Sequence, residues 1–403
     1  MSELSSSSSA LLFAILCAYA VLSSHSLVWS DNELITLRFD ATRDEWARTF
    51  PDAPSVSGPV HVWGRCVGRC VRFIFALEPL DMRMHSFGDT GFPRQSAGNN
   101  NPLNQSTLLF VVDGETVTPQ LGTYVGQFVH YLLEARNLAQ PLLVSVKGWS
   151  RVHPVSLLGC VDDVPPADGT VVVSVNMYDS IQSGPQGQNN YTELAIAVEK
   201  HARFHTCDIP HALNWVYEVW IDETMMATFS AHEFLVQNVS LILKSNTLPR
   251  ISGEGHRYFP IYNNMALLKW WRRNARVLLV DLDEFLTVSS ASTREIEELT
   301  FQHDIVGLER LNRVCVDCNV EMPDVFHETR AHKWQDVGLL QDRKLFVNPD
   351  VAGCHWIHWA TCSLKDDKRP EVHVAPVETA FLAHYPNFFR HRIHATQPKG
   401  NTT

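Results

Sequence analysis

The sequence predicts an α/β protein, in which a larger domain with a mostly parallel central sheet follows a smaller β-rich module. Three observations predict this. Thr170 to Val175 (TVVVSV) is an unbroken, β-branched run, the composition of a strand buried on both faces. Beyond it, apolar stretches of strand length alternate with stretches of helical period, as in layered α/β domains. Before it, short apolar alternations such as VHVWGRCVGRCVRFIFAL and STLLFVVDG are broken repeatedly by Gly, Pro and Asn, as in β-rich modules.

The first 30 residues read as a targeting segment. Ala10 to Leu22 is an apolar run of 13 residues flanked by serines, whereas a membrane span needs about 20. A cleaved signal peptide fits that length, with Ala18-Tyr-Ala20 or Val21-Leu-Ser23 as small-residue processing sites. A signal anchor fits if the serines and Leu27-Val-Trp29 extend the span. The first route implies secretion, the second a single-pass type II membrane protein of the Golgi or another secretory lumen. Nine cysteines agree with an oxidising compartment: outside the leader an even set remains, at positions 66, 70, 160, 207, 315, 318, 354 and 362. A competing reading joins Cys315, Cys318, Cys354 and Cys362 as a zinc site, although only the first pair has knuckle spacing. Sequons at Asn104, Asn190, Asn238 and Asn401 would be glycosylation acceptors there.

Residues 31–165 form the expected β-rich module, with one helical exception from Gly122 to Ala139, where Val125, Phe128, Val129, Leu132 and Leu133 recur at helix spacing. Asp162 to Gly169 (DDVPPADG) reads as a linker into a domain spanning 166–395. In that domain Glu193 to Phe204 reads as a helix and Trp215 to Ile221 as a strand ending at Asp222. Ala231 to Lys244 fits either state, and Asn263 to Asn274 reads as a helix. Val277 to Val280 and Asp304 to Leu308 read as strands, with further strands at Lys344 to Val347 and His355 to Trp359. A net charge of −11 argues against electrostatic capture of nucleic acid.

The chemistry concentrates in RVLLVDLDEFLTV, residues 276–288, where an apolar strand runs into Asp281, Asp283 and Glu284. On an extended segment Asp281 and Asp283 would point the same way. Two carboxylates in one place repel, and a hard divalent cation resolves the conflict while leaving positions open for phosphate oxygens. An EF-hand is excluded, because Leu286 stands where glycine is required and Ser292 where the bidentate Glu belongs.

Two families place Asp-x-Asp after an apolar strand. The segment resembles haloacid-dehalogenase-type phosphatases, whose first Asp, here Asp281, is a nucleophile. Lys344 and Asp366-Asp367 match the later motifs of those enzymes only weakly, and Phe285 stands where they carry a small or β-branched residue. From Thr170 to Arg390 the chain is more similar to glycosyltransferase family 92, enzymes of the GT-A fold that use nucleotide sugars. The matching stretches are TVVVSVNMYD, Glu193 of ELAIAVEKH, WVYEVWIDE, ARVLLVDLDEFL, RKLFVNP with the later Ile357-His358, and Ala383-His384-Tyr385. The segment Leu311 to Glu321 departs from the family's Gly-Ser-rich stretch.

The resemblance implies a metal-dependent, inverting transfer of a hexose, such as galactose, from a UDP-linked donor to a glycan or glycoprotein. It implies Mn²⁺ or Mg²⁺ on Asp281 and Asp283 with His384 or His358 completing the site. Asn176, Tyr178, Glu193 and Asp222 would line the donor pocket, although Glu193 is equally suited to capping its own helix. Asp324, Glu328, Asp336 and Asp342 are the candidates for general base, and Trp334, Trp356 and Trp359 for sugar stacking. A catalytically inactive secreted glycan-binding protein is the non-enzyme alternative.

Overall fold

The computed structural model describes residues 28–29, 34–40, 42–49, 60–77, 108–112, 115–118, 121–125, 128–134, 140–158, 160–161, 169–177, 191–236, 239–243, 255–288, 293–315, 334–356, 359–364 and 370–385. The first part of the chain contributes β1 (Val28–Trp29), β2 (Ile35–Phe39), α1 (Arg43–Thr49), β3 (Val60–Val67), β4 (Cys70–Leu77), β5 (Leu108–Val112), β6 (Glu115–Val117), β7 (Leu121–Val125), β8 (Phe128–Glu134), β9 (Leu142–Val146) and β10 (Val152–Val155). The second part contributes β11 (Thr170–Asn176), α2 (Tyr191–Arg203), one π-helical turn (Phe204–Asp208), β12 (Asn214–Ile221), α3 (Glu223–Ala231), β13 (Val239–Leu243), α4 (Gly255–Trp270), β14 (Ala275–Val280), β15 (Glu284–Val288), α5 (Thr293–Gln302), β16 (Ile305–Cys315), β17 (Trp334–Val347), β18 (Ala352–Trp356), β19 (Trp359–Ser363), β20 (His373–Val374) and β21 (Ala380–His384).

A ten-stranded mixed sheet organises the second part, in the order β1-β13-β12-β11-β14-β17-β16-β21-β15 with β20 on β16. Strands β11 to β14 and β1 are mutually parallel, while β14–β17, β17–β16 and β21–β15 are antiparallel. The expected mostly parallel sheet therefore holds for one half. Numbering the parallel strands from β11, their order is 3-2-1-4, which places a topological switch point between β11 and β14, where open α/β sheets hold ligands at the carboxyl edge. Successive residues of β11 serve opposite cores. Val171, Val173 and Val175 join Leu194 and Val198 of α2 and Met225 and Phe229 of α3, whereas Val172 joins Ile261, Met265 and Leu268 of α4. Burial on both faces is why no polar alternation marks this strand.

The first part is a β-sandwich. Sheets β2-β3-β4-β8-β7 and β10-β9-β5-β6 enclose a core containing Val60, Val62, Phe73, Phe110 and Val144. Gly64 is required there, since a Cβ at that position would lie 2.5 Å from the Phe73 ring. The outward residues of β3 and β4 do not face water, because Trp63 and Ile74 belong to the α4 core. Arg65 and Arg72 are direct cross-strand partners on that outer face, a like-charge juxtaposition that destabilises a sheet unless otherwise compensated. The Arg65 guanidinium donates to the Lys269 carbonyl in the last turn of α4, and Arg72 donates to Pro349 O at 3.1 Å and Ala352 O at 3.4 Å. Burial brings the Arg72 guanidinium down to about 9, with Asp350 opposing. The Cys66–Cys160 disulfide closes the sandwich, and Cys70 and Cys207 are thiols.

Several expectations are corrected. Gly122 to Ala139 is not a helix: its described residues form the antiparallel hairpin β7–β8, with Val125 opposite Phe128. Ala231 to Lys244 resolves into the end of α3 followed by strand β13, and His355 to Trp359 is divided between β18 and β19. The α4 helix stops at Trp270, short of Asn274, because Arg272 (φ 59°) and Asn274 (φ 47°) adopt left-handed conformations that turn the chain into β14. Cys354 and Cys362 are opposite each other on β18 and β19, while Cys318 of the alternative zinc set lies outside the described residues. No helix among the described residues is long and apolar enough to cross a membrane; of the expected leader only Val28 and Trp29 are described, and they form β1, paired in parallel with β13.

Candidate functional site

β14 ends at the switch point, and the acids follow it in a tight turn rather than on the extended segment expected from sequence. The Glu284 N–H donates to Asp281 O at 3.1 Å, and β15 then departs to pair with β21. The register sets Glu284 opposite His384, and the Tyr385 N–H donates to Asp283 O at 2.9 Å. The last strand thereby delivers His384 to the turn. Its Nε2 lies 3.6 Å from Asp283 Oδ2, with the two side chains 10% and 3% exposed. Asn312, opposite His384 on β16, holds Nδ1 at 3.1 Å through its side-chain oxygen. An oxygen there accepts the Nδ1–H, which leaves Nε2 as the nitrogen of a neutral ring whose lone pair would face the carboxylate. Nε2 has no hydrogen-bond partner among the described residues. Two acceptors facing one another at this separation fit a shared cation, and an imidazole anchored through its other nitrogen is the usual state of a metal-ligating histidine.

Lys344 and Arg310 supply positive charge to the other two acids. Lys344 Nζ lies 3.2 Å from Asp281 Oδ2 and 3.4 Å from Glu284 Oε2, and Arg310 Nη2 lies 2.5 Å from Glu284 Oε1. The Asp281 N–H donates to Glu284 Oε2 at 2.9 Å. Lys344, Arg310 and Glu284 are buried, whereas the Asp281 side chain keeps 19% of its surface exposed. Of the two Asp-x-Asp carboxylates, Asp283 with His384 therefore fits a divalent ion. Asp281 fits it less well, because Lys344 already occupies one of its oxygens. Among the described residues no cluster of three or more His, Cys, Asp or Glu side chains forms a fuller metal cage, and His358 lies outside them.

Behind the turn, two buried histidines grip β15. It is the last strand of the sheet, so the outward backbone groups of Glu284 and Leu286 need side-chain partners. His201 Nε2 lies 2.8 Å from Glu284 O, and His205 Nε2 accepts the Leu286 N–H at 3.2 Å. A carbonyl can only accept, so His201 carries its proton on Nε2 and its Nδ1 accepts from the Tyr217 hydroxyl at 2.8 Å. His205 has the opposite tautomer, donating from Nδ1 to His201 O at 2.9 Å. Burial brings the His201 imidazole down to about 4, against the opposing effects of Glu284 O and Asp281, and holds His205 well below the usual range.

The remaining expected residues divide. Asn176, at the carboxyl end of β11, is 7% exposed, and its Oδ1 has no hydrogen-bond partner among the described residues. Asp222 directly follows β12 and stands at the N-cap of α3 without making a side-chain cap bond. Glu193 lies exposed in the first turn of α2. Asp336 pairs with Arg313 at 3.0 Å, and Asp342 is exposed on β17. Tyr178, Asp324 and Glu328 lie outside the described residues, and the side chains of Trp334, Trp356 and Trp359 are likewise not described. Arg310, Asn312, His201 and His205 were not singled out from sequence. The one signal available was the four-residue spacing of His201 and His205 within a helical pattern, which puts both on one face.

No protein-family model matches the chain, and no curated protein matches it in sequence. Among solved structures it is similar to Rv0371C from Mycobacterium tuberculosis H37Rv in complex with manganese, with a TM-score of 0.22 and 12% identity over 36% of this chain and 66% of that one. A second structure of Rv0371c from the same organism gives a TM-score of 0.23 and 12% identity over 36% of this chain and 68% of that one. The chain thus spans just under two thirds of the first of these. Scores this low carry no argument about fold or function.

Proposed function

We propose that the chain is a metal-dependent glycosyltransferase of GT-A type, which moves a hexose, galactose being the first to test, from a UDP-linked donor to a glycan or glycoprotein in the Golgi or another secretory lumen. One observation carries this reading. A carboxylate and an imidazole, Asp283 and His384, meet at 3.6 Å beside the switch point of a sheet whose parallel strands run 3-2-1-4. Asp283 and His384 would hold Mn²⁺ or Mg²⁺, leaving most of its coordination to donor oxygens. When bound, the ion neutralises charge gathering on the leaving diphosphate. Asp281, fixed by Lys344 and still partly exposed, presents its carboxylate to hydroxyl groups of the donor. Asn176 Oδ1, buried and short of a donor among the described residues, accepts from the nucleoside. Either exposed carboxylate on β17, Asp336 or Asp342, would deprotonate the acceptor hydroxyl.

One contact favours a second reading. Lys344 lies 3.2 Å from Asp281, as a lysine would beside the nucleophile of a haloacid-dehalogenase-type phosphatase. A single experiment separates the readings: the purified chain is incubated with Mn²⁺ or Mg²⁺ and either a panel of nucleotide sugars or a panel of phosphate esters. Release of nucleoside diphosphate supports glycosyl transfer. Ester hydrolysis with no donor turnover overturns it in favour of the phosphatase, and sugar binding with neither turnover supports the inactive glycan-binding alternative.

A further inference from the structure

Glu284 follows both Asp-x-Asp carboxylates and, at 0% exposure, cannot itself reach a ligand. Burying a third carboxylate beside two others is unfavourable unless cations and hydrogen bonds compensate. Compensation here comes from three directions. Arg310 of β16 approaches Oε1 at 2.5 Å, Lys344 of β17 approaches Oε2 at 3.4 Å, and the Asp281 N–H donates to Oε2 at 2.9 Å. Lys344 and Arg310 come from adjacent antiparallel strands, and the register between them shifts after Leu308, which pairs with Lys344. The same Lys344 ammonium reaches Asp281 Oδ2 at 3.2 Å. Glu284 therefore acts on Asp281 twice, through its backbone amide and through a shared lysine. Its own carbonyl accepts from His201 at 2.8 Å, which ties this unit to α2.

We propose that Glu284 is a positioning residue, which sets the orientation of Asp281 and the geometry of the acid turn through Lys344 and the Asp281 amide, before any ligand arrives. A buried carboxylate serving only to satisfy Arg310 would need neither the amide nor the lysine. The kinetic consequence rests on the glycosyltransferase reading, whereas the structural consequence does not.

The test has two arms. In the first, amide hydrogen exchange is followed at Asp281 in the ligand-free protein. Glu284→Ala removes the acceptor and should accelerate exchange at that amide at least tenfold, while Glu284→Gln, which keeps an acceptor oxygen, should leave it within about threefold. Unchanged exchange in Glu284→Ala overturns the proposal whatever the chain catalyses. In the second arm, donor turnover is measured with Mn²⁺. Glu284→Gln should lose about 10- to 100-fold in kcat/KM, the usual consequence of removing a group that orients a ligand-binding residue, and Glu284→Asp should recover part of it. Wild-type kinetics in Glu284→Gln overturn the proposal. If Glu284→Gln does not fold, Glu284→Gln/Arg310→Met removes both halves of the buried pair and should fold with the same kinetic loss, while full activity in that double variant also overturns the proposal. A wild-type protein that turns over no donor refutes the function and leaves the exchange arm decisive.

Discussion

Acidification from pH 7 to pH 4 should weaken the protein through His201, and the size of the effect follows from its surroundings. The unfolded imidazole titrates at about 6.5, whereas burial between Tyr217 and Glu284 brings the folded one down to about 4. Between those values the unfolded chain binds the proton more readily, so stability is complete above about pH 6.5 and is lost as the pH falls toward 4. The slope is about 1.4 kcal/mol per pH unit, and across the window His201 alone amounts to roughly 3.4 kcal/mol. His205 shifts in the same direction and adds to the loss. Its Nε2 lone pair holds the Leu286 N–H, so protonation removes a hydrogen bond from the strand that follows the acid turn. Urea unfolding of the wild type and of His201→Gln at half-unit steps from pH 7 to 4.5 provides the assay. The difference between the two curves should shrink by about 1.4 kcal/mol per unit of acidification. Parallel pH profiles in the two proteins would refute the assigned tautomer and burial.

Arg72→Met leaves the Pro349 and Ala352 carbonyls without their buried donor and should cost about 2–4 kcal/mol, measurable as a lowered urea midpoint. The Cys66–Cys160 bridge spans 94 residues. Chain entropy then attributes about 4.7 kcal/mol to it, so Cys66→Ser/Cys160→Ser should unfold at markedly lower denaturant concentration.

The α/β half was legible because its strands carry physical signatures that tertiary context does not override. TVVVSV and RVLLV are dominated by Val and Leu since helices cover both faces, and α2 emerged from its period within two residues at its start and one at its end. The β7–β8 hairpin was misread for a related reason. In β8, which lies between β4 and β7, Tyr131 and Leu133 are buried and Leu132 is half-buried. Apolar residues on both faces of two short strands reproduce helical spacing without a helix. The acids of the site were visible at the end of a strand; of their partners, His384 and Lys344 were named only through family resemblance and Arg310 not at all. Lys344, Arg310 and His384 reach them from β17, β16 and β21, distant in sequence, through antiparallel and parallel pairings whose register no local pattern specifies. The tight turn that separates Asp281 from Asp283 was hidden as well, because Leu282 and Phe285 are buried and no Gly, Pro or Asn punctuates residues 281–284.

The central claim is that Asp283 and His384 together hold a divalent ion, and Mn²⁺ binding followed by electron paramagnetic resonance tests it most directly. The wild type should take up one Mn²⁺ per chain. Asp283→Asn and His384→Ala should each lose that ion while retaining the wild-type circular dichroism, whereas Asp281→Asn should weaken it less than either. Equal Mn²⁺ uptake by the wild type and Asp283→Asn would contradict the account.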